Sequence, residues 1–394
     1  MNLFRESVEA ILPQVITWRR HLHQHPEPSY EEFQTTEYLI EQIKKLPDVT
    51  YERLSATGVV AKFSCARPGP VIALRGDIDA LRMNEESGES FSSQNEGIMH
   101  ACGHDSHAAM LLGALYVLYE HRQELEGGFV FIFQAAEELF PGGAKELVEK
   151  GALNGVSAVL GQHAGPWYPT GHIGTCQGYI TANSDTFEII VNGRGGHASA
   201  PQNCLDPIPA AAQIVTAVQN IVSRHIPANE QAVVSITTIH SGSANNVIPD
   251  TVVMTGTTRT YTQENRDYIE GAIRRITAHI AEAFEMTAEV NYKRGYGCMY
   301  NTPEYTQALM ELADELYGPG TAITAEPGMG GEDFGCYLEK VPGCFYYYGS
   351  GNADKGSDKP THNSQFRIDE DSFPVALSIM VNGAIRFQEL AKQK

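Results

Sequence analysis

At 394 residues the chain is longer than one hydrophobic core usually serves, which points to one large or two moderate domains. Its net charge of −20 argues against general nucleic-acid binding, and no apolar run reaches the roughly 18 residues that cross a bilayer, so neither a nucleic-acid nor a membrane partner is expected. Seven cysteines, an odd number in a long chain, do not read as a disulfide framework; with no signal-peptide core at the N-terminus they point to a reducing cytoplasm.

The first helix ends at Pro26 and Pro28 in "HLHQHPEPSYEE", where His21, His23 and His25 read as structural. Residues 70–75 (PVIALR), 128–134 (GFVFIFQ) and 156–161 (VSAVLG) are short Val-, Ile- and Phe-rich runs. Helical patterns at 104–122 and 142–151 separate them. Continuous apolar strands between helices predict an α/β domain with a mostly parallel sheet buried on both faces. Near residue 183 the pattern changes. "SDTFEIIVNG", "QAVVSITTIHSG", "DTVVMTGTTRTY" and "TAEVNYKRGY" alternate as strands, with helices over "DPIPAAAQIVTAVQNIVSRH" and "ENRDYIEGAIRRITAHIAEAF". That βαββαβ order predicts a ferredoxin-like α+β unit inserted into the first domain. The expected boundaries are 1–182 and 297–394 for the α/β domain and 183–296 for the insert.

The polar residues at the end of each apolar strand carry the chemistry. "VIALRGDIDAL" leads to Asp77 and Asp79, "GFVFIFQAAEE" to Glu137 and Glu138, and "VSAVLGQHAG" to His163. Open α/β sheets bind ligands outside the carboxyl ends of their strands. There the run "GIMHACGHDSH" can add Cys102 and His104, and "THNSQF" adds His362. Adjacent side chains diverge, so Glu138 can face a cation while Glu137 faces the reactants.

Cys102-x-His104 also fits a cysteine hydrolase, but a thiol nucleophile needs one base and an orienting group, not several more carboxylates and imidazoles. Imidazole, thiolate and carboxylate suit zinc, and all but the thiolate suit manganese. Two ions about 3.5–4 Å apart need a bridging anion and terminal ligands on each side. Cys102 as bridge, with His104, Glu138, His163 and His362, fills that count. Glu137 is then available as general base for metal-activated water. Asp79 is placed to accept the free N–H of a histidine ligand and fix its tautomer. Asp77 reads equally as a turn or a packing residue, and His100 and His107 as partners of nearby backbone or loops.

These blocks resemble the aminoacylase/carboxypeptidase family of dinuclear metallohydrolases, in particular its amidohydrolase branch of hippurate hydrolases, N-acyl-amino-acid aminoacylases and auxin-conjugate hydrolases. The resemblance runs from "WRRHLHQHPEPSYEE" through "LRGDIDAL", "MHACGHDSH", "FQAAEE", "GQHAGP", "GGHASAP", "NVIPD" and "MGGEDF" to "HNSQFRIDE". It implies two divalent ions per subunit, Mn²⁺ or Zn²⁺, on Cys102, His104, Glu138, His163 and His362, with Glu137 as general base. It further implies that the insert is a lid and homodimerisation surface. His197 would polarise the scissile carbonyl from it, and Asn246 and Arg259 would contact substrate. One departure is a single histidine in "KPTHNSQF", where several relatives carry consecutive ones. The expected activity is hydrolysis of the amide bond of N-acyl amino acids. Dipeptidase or carboxypeptidase action is the neighbouring reading, and a non-catalytic metal-binding or thiol-sensing protein the different one.

Overall fold

The computed structural model describes residues 4–393. Within it, Thr181–Cys298 and the short piece Gly328–Glu332 form one compact unit, and the remaining described residues form the other.

The larger unit is built on an eight-stranded mixed sheet. Its centre is four parallel strands, in the spatial order Glu126–Gln134, Arg67–Asp77, Val156–Pro169 and Gly343–Gly351. Antiparallel strands flank this centre: Val59–Ser64 on Glu126–Gln134, and Ile173–Thr175 on Gly343–Gly351. Strand period decides which residue meets which layer. Phe129, Phe131 and Phe133 face one core, whereas Val130 and Ile132 face another on the opposite side of the sheet. Fully burying each such phenylalanine contributes roughly 1.5–3 kcal/mol.

The first layer holds the long helices Arg5–Gln24, His104–Glu120 and Phe373–Ala391. His104–Glu120 packs against both of the others and is buried along nearly its whole length, which the apolar run 108–118 and the hydrogen-bonded polar side chains of its first turn permit. The second layer holds the short helices Ala144–Glu149 and Gly335–Leu338. A buried ionic network sits between layer and sheet. Arg75, fully buried, donates to Asp77 Oδ2 at 2.5 Å, Asp333 Oδ1 at 2.9 Å and Gln134 Oε1 at 2.9 Å. Charge and hydrogen bonds are matched there, as a buried ion group requires.

One element differs from the sequence expectation. The strand expected at 156–161 runs on to Pro169, because Gly343–Gly351 pairs with it in parallel register through Tyr347↔His163 and Gly349↔Gly165. His163 therefore lies within a strand, on a regular lattice of hydrogen bonds, rather than in a loop after it.

The smaller unit is a four-stranded antiparallel sheet in the order Ala232–His240, Thr251–Thr260, Asn183–Asn192, Thr287–Arg294, packed against the helices Pro207–His225 and Gln263–Ala283. The first helix starts with Pro207 after Asp206, whose side chain accepts the Ile208 N–H at 3.0 Å. Ala210, Ala211, Ile214, Val218 and Ile221 form its buried stripe at helical spacing. The second helix is capped by Thr262, which accepts the Asn265 N–H at 3.2 Å.

Candidate active site

The parallel strands deliver their polar residues to one end of the sheet of the larger unit. Cys102 and His104 join them from the N-terminus of the helix His104–Glu120. Gly103 separates the two at φ 91°, and a Cβ there would stand 3.0 Å from Ile368 and 3.1 Å from Ala164. Only glycine turns the chain in that space without strain.

Cys102, His104 and His163 offer ligand atoms all within 4.8 Å of one another, and so do Cys102, Glu138 and His362. Cys102 is common to both groups. His104, Glu137 and Glu138 form a third such group. Cys102 Sγ lies 3.3 Å from His163 Nε2, and His362 Nε2 lies 3.1 Å from Glu138 Oε1.

Hydrogen bonds set the imidazoles. His163 Nδ1 donates to the Ala164 carbonyl at 2.8 Å, so its Nε2 presents a lone pair towards Cys102. His104 Nδ1 donates to Asp79 Oδ1 at 3.1 Å, and its buried Nε2 has no hydrogen-bond partner. Such an orphaned buried nitrogen, 3.9 Å from Glu138 Oε1, is what a cation-binding site looks like from the protein side. Asp79 Oδ2 accepts from Ser29 Oγ at 2.7 Å and from the Glu138 N–H at 2.9 Å.

The electrostatics point the same way. Burial opposes a charged His104, yet Asp77, Asp79 and Glu138 outweigh it and push its pKa up to about 10. Burial, reinforced by the charges of Glu138, Glu137 and Asp77, holds the Cys102 thiol well above the ordinary range. Without a cation this pocket keeps the thiol protonated. A divalent ion would supply the missing positive charge and deprotonate the sulfur. The donor set fits zinc, and all of it but the thiolate fits manganese, with Cys102, His104, Glu138, His163 and His362 as the residues that would hold the ions.

The other polar residues singled out in the sequence divide clearly. Asp77 is fully buried; its Oδ1 accepts from His107 Nδ1 at 2.5 Å, and His107 Nε2 accepts the Ala164 N–H at 2.8 Å. His100 makes no backbone bond: it is buried with neither ring nitrogen partnered. His23 bonds Asp105 at 2.8 Å and Glu85 at 3.1 Å, and His25 Nδ1 donates to the His21 carbonyl at 2.8 Å. His197, Asn246 and Arg259 belong to the smaller unit. His197 is exposed on the short strand Gly196–His197, which pairs with Val247–Ile248 directly after Asn246. Arg259 Nε donates to the Met329 carbonyl at 3.0 Å and Nη1 to the Thr258 carbonyl at 2.9 Å. Ser29 and Glu32 were not anticipated; "HPEPSYEE" is the only local signal for them.

The site and fold define a metal-dependent hydrolase of amide bonds. Residues 73–385 match Peptidase family M20/M25/M40, and the chain belongs to that family. It is 39% identical over 386 residues to "Thermostable carboxypeptidase 2" of Saccharolobus solfataricus, covering 97% of this chain and 98% of that one. It is 40% identical over 388 residues to "N-acetylcysteine deacetylase" of Bacillus subtilis, covering 98% and 99%. The solved structure of the Bacillus subtilis YXEP protein, described as a dinuclear metal-binding peptidase of the M20 family, superposes with a TM-score of 0.84 at 37% identity, covering 97% of this chain and 99% of that one.

Glu32 yields a pH prediction. It is fully buried, and burial followed by the charge of Asp79 raises its pKa from 4.5 to about 7. Between those values the unfolded chain releases a proton that the native state keeps, so this group's contribution to stability falls as pH rises. Glu32→Gln has no such proton. Chemical denaturation of metal-free protein at pH 5 to 8 should show the variant gaining on the wild type by on the order of 3 kcal/mol. Parallel stability–pH curves would contradict this.

Proposed function

We propose that the chain hydrolyses the amide bond of N-acyl amino acids at a dinuclear site in the larger unit. The observation that carries this reading is Cys102 shared by two ligand groups, with Glu137 beside them. Divalent ions held by Cys102, His104, Glu138, His163 and His362 would polarise the scissile carbonyl and lower the pKa of water from 15.7 towards about 7. Glu137 then accepts the proton of the attacking water and passes it to the departing nitrogen, yielding a carboxylic acid and a free amine. Asp79 holds the His104 tautomer. The negative charge that develops on the carbonyl oxygen would be met by the ions these residues hold, with no thiol nucleophile, since burial and neighbouring carboxylates keep Cys102 from acting as one.

The smaller unit, a βαββαβ insert, reads as a ferredoxin-like lid and the homodimer interface, with domain limits near 183 and 296. On this reading His197 polarises the substrate carbonyl, Asn246 contacts it and Arg259 meets a substrate carboxylate. Desolvation of the half-buried Arg259 guanidinium, which lowers its pKa, favours an anionic partner there. The deacetylase relative supports an acyl-amino-acid substrate. The carboxypeptidase relative keeps peptide substrates as the second reading.

Substrate class is tested with chelator-stripped protein, supplied with Mn²⁺ or Zn²⁺, on N-acetyl and N-benzoyl amino acids against simple dipeptides. Activity should vanish on stripping, return with metal and favour the acylated compounds; metal-independent turnover would refute the mechanism, and preference for dipeptides would establish the second reading. Glu137→Gln should lower kcat at least about 10²–10⁴-fold with metal content retained. Mixing it with His197→Ala subunits should restore up to one working site per heterodimer; no complementation would rule out a shared site.

A further inference from the structure

We propose that Glu32 is a positioning residue for this site: its buried carboxylate holds Ala136 in a left-handed backbone conformation and so aims Glu137 and Glu138. The inference rests on the amide-hydrolase reading but concerns residues that reading does not use.

Ala136 is a buried alanine at φ 56°. Side-chain-bearing residues avoid that region, and those that occupy it are held there by their surroundings. Four non-glycine residues with positive φ occur among the described residues. Three of them flank this site: Tyr30 lies between Ser29 and Glu32, Ala136 precedes the two glutamates, and His362 is a candidate ligand. Backbone strain of this kind clusters where function needs an otherwise unfavourable geometry.

The restraint on Ala136 is visible. Glu32 Oε1 accepts the Ala136 N–H at 2.8 Å, and Glu32 Oε2 accepts the Thr57 hydroxyl at 2.7 Å. Asp79 grips the other end of the segment through the Glu138 N–H, and Ser29 in turn grips Asp79. The stretch 29–32 thus reaches both ends of residues 136–138, the segment that brings Glu137 and Glu138 into one group with His104. An ordinary structural role is available and unused. Glu32 stands at the N-cap of the helix Phe33–Ile43, but its side chain makes no capping bond; Glu27 accepts the Gln34 and Thr35 N–H groups instead.

The test compares Glu32→Met, which keeps the volume without the acceptors, with Glu32→Gln, which can still accept the Ala136 N–H. Zinc affinity of stripped protein is read by competition with a chromophoric chelator, and kcat and KM on the best N-acyl amino acid. Glu32→Met should bind Zn²⁺ about 10–100-fold more weakly, as loss of groups behind a metal ligand does. Its kcat should fall about 10²-fold with KM nearly unchanged, the usual result of misplacing a reacting group. Glu32→Gln should stay within about threefold of wild type in both, since one hydrogen bond is preserved. Adding Ala136→Gly to Glu32→Met should recover part of both losses, because glycine occupies positive φ unaided. If Glu32→Met does not fold, Glu32→Asp withdraws the acceptor by one methylene and carries the same expected losses. Wild-type zinc affinity and kcat in the acceptor-deficient variant, equal impairment of Glu32→Gln, or no recovery with glycine would each overturn the assignment. A wild type that binds zinc yet hydrolyses no N-acyl amino acid would sink the amide-hydrolase reading instead, and the zinc data would still decide the role of Glu32.

Discussion

One buried carboxylate ties this site together. Asp79 accepts from His104 on a helix, from the Glu138 backbone after a strand, and from Ser29 in the N-terminal segment. Burial opposes its ionisation, but the hydrogen bonds and charge of His104, with those from Ser29 and Glu138, outweigh it and hold its pKa below the ordinary value. A carboxylate so surrounded is costly to move, because each donor would lose a charge-assisted bond in a buried setting. Three separate parts of the chain are therefore referenced to a single point.

Around that point the larger unit concentrates like charge. Asp77, Asp79, Glu137 and Glu138 gather near one thiol and the imidazoles of His104, His107, His163 and His362, and among them Asp77 has a buried guanidinium, that of Arg75, to balance it. The excess of acceptors is unfavourable in the bare protein. It is offset when cations occupy the site, which couples metal binding to the stability of the same elements.

Much of this was legible in the sequence, for definite reasons. Apolar strands ending in "GDIDAL", "FQAAEE" and "GQHAG" announce an α/β sheet with polar residues at one end, and a thiol among imidazoles limits the ions that fit. The antiparallel flanks of the sheet were not legible, since an apolar strand does not record the direction of its neighbour. Nor was the continuation to Pro169: the glycine and two prolines of "AGPWYP" read as a strand's end, whereas the segment pairs on with Gly343–Gly351. Ser29 and Glu32 escaped because their partners, Asp79 and Ala136, are distant in sequence, and alanine gives no hint of positive φ. Asp77 was ambiguous until His107 and Arg75 were seen beside it.

The central claim is that Cys102 lies between two cations. Anomalous diffraction from crystals of the zinc-loaded protein, recorded on either side of the zinc edge, tests it most directly. The account predicts two peaks about 3.5–4 Å apart with Cys102 Sγ between them, one beside His104 and His163 and the other beside Glu138 and His362. A single fully coordinated ion, or metal bound away from Cys102, would contradict it.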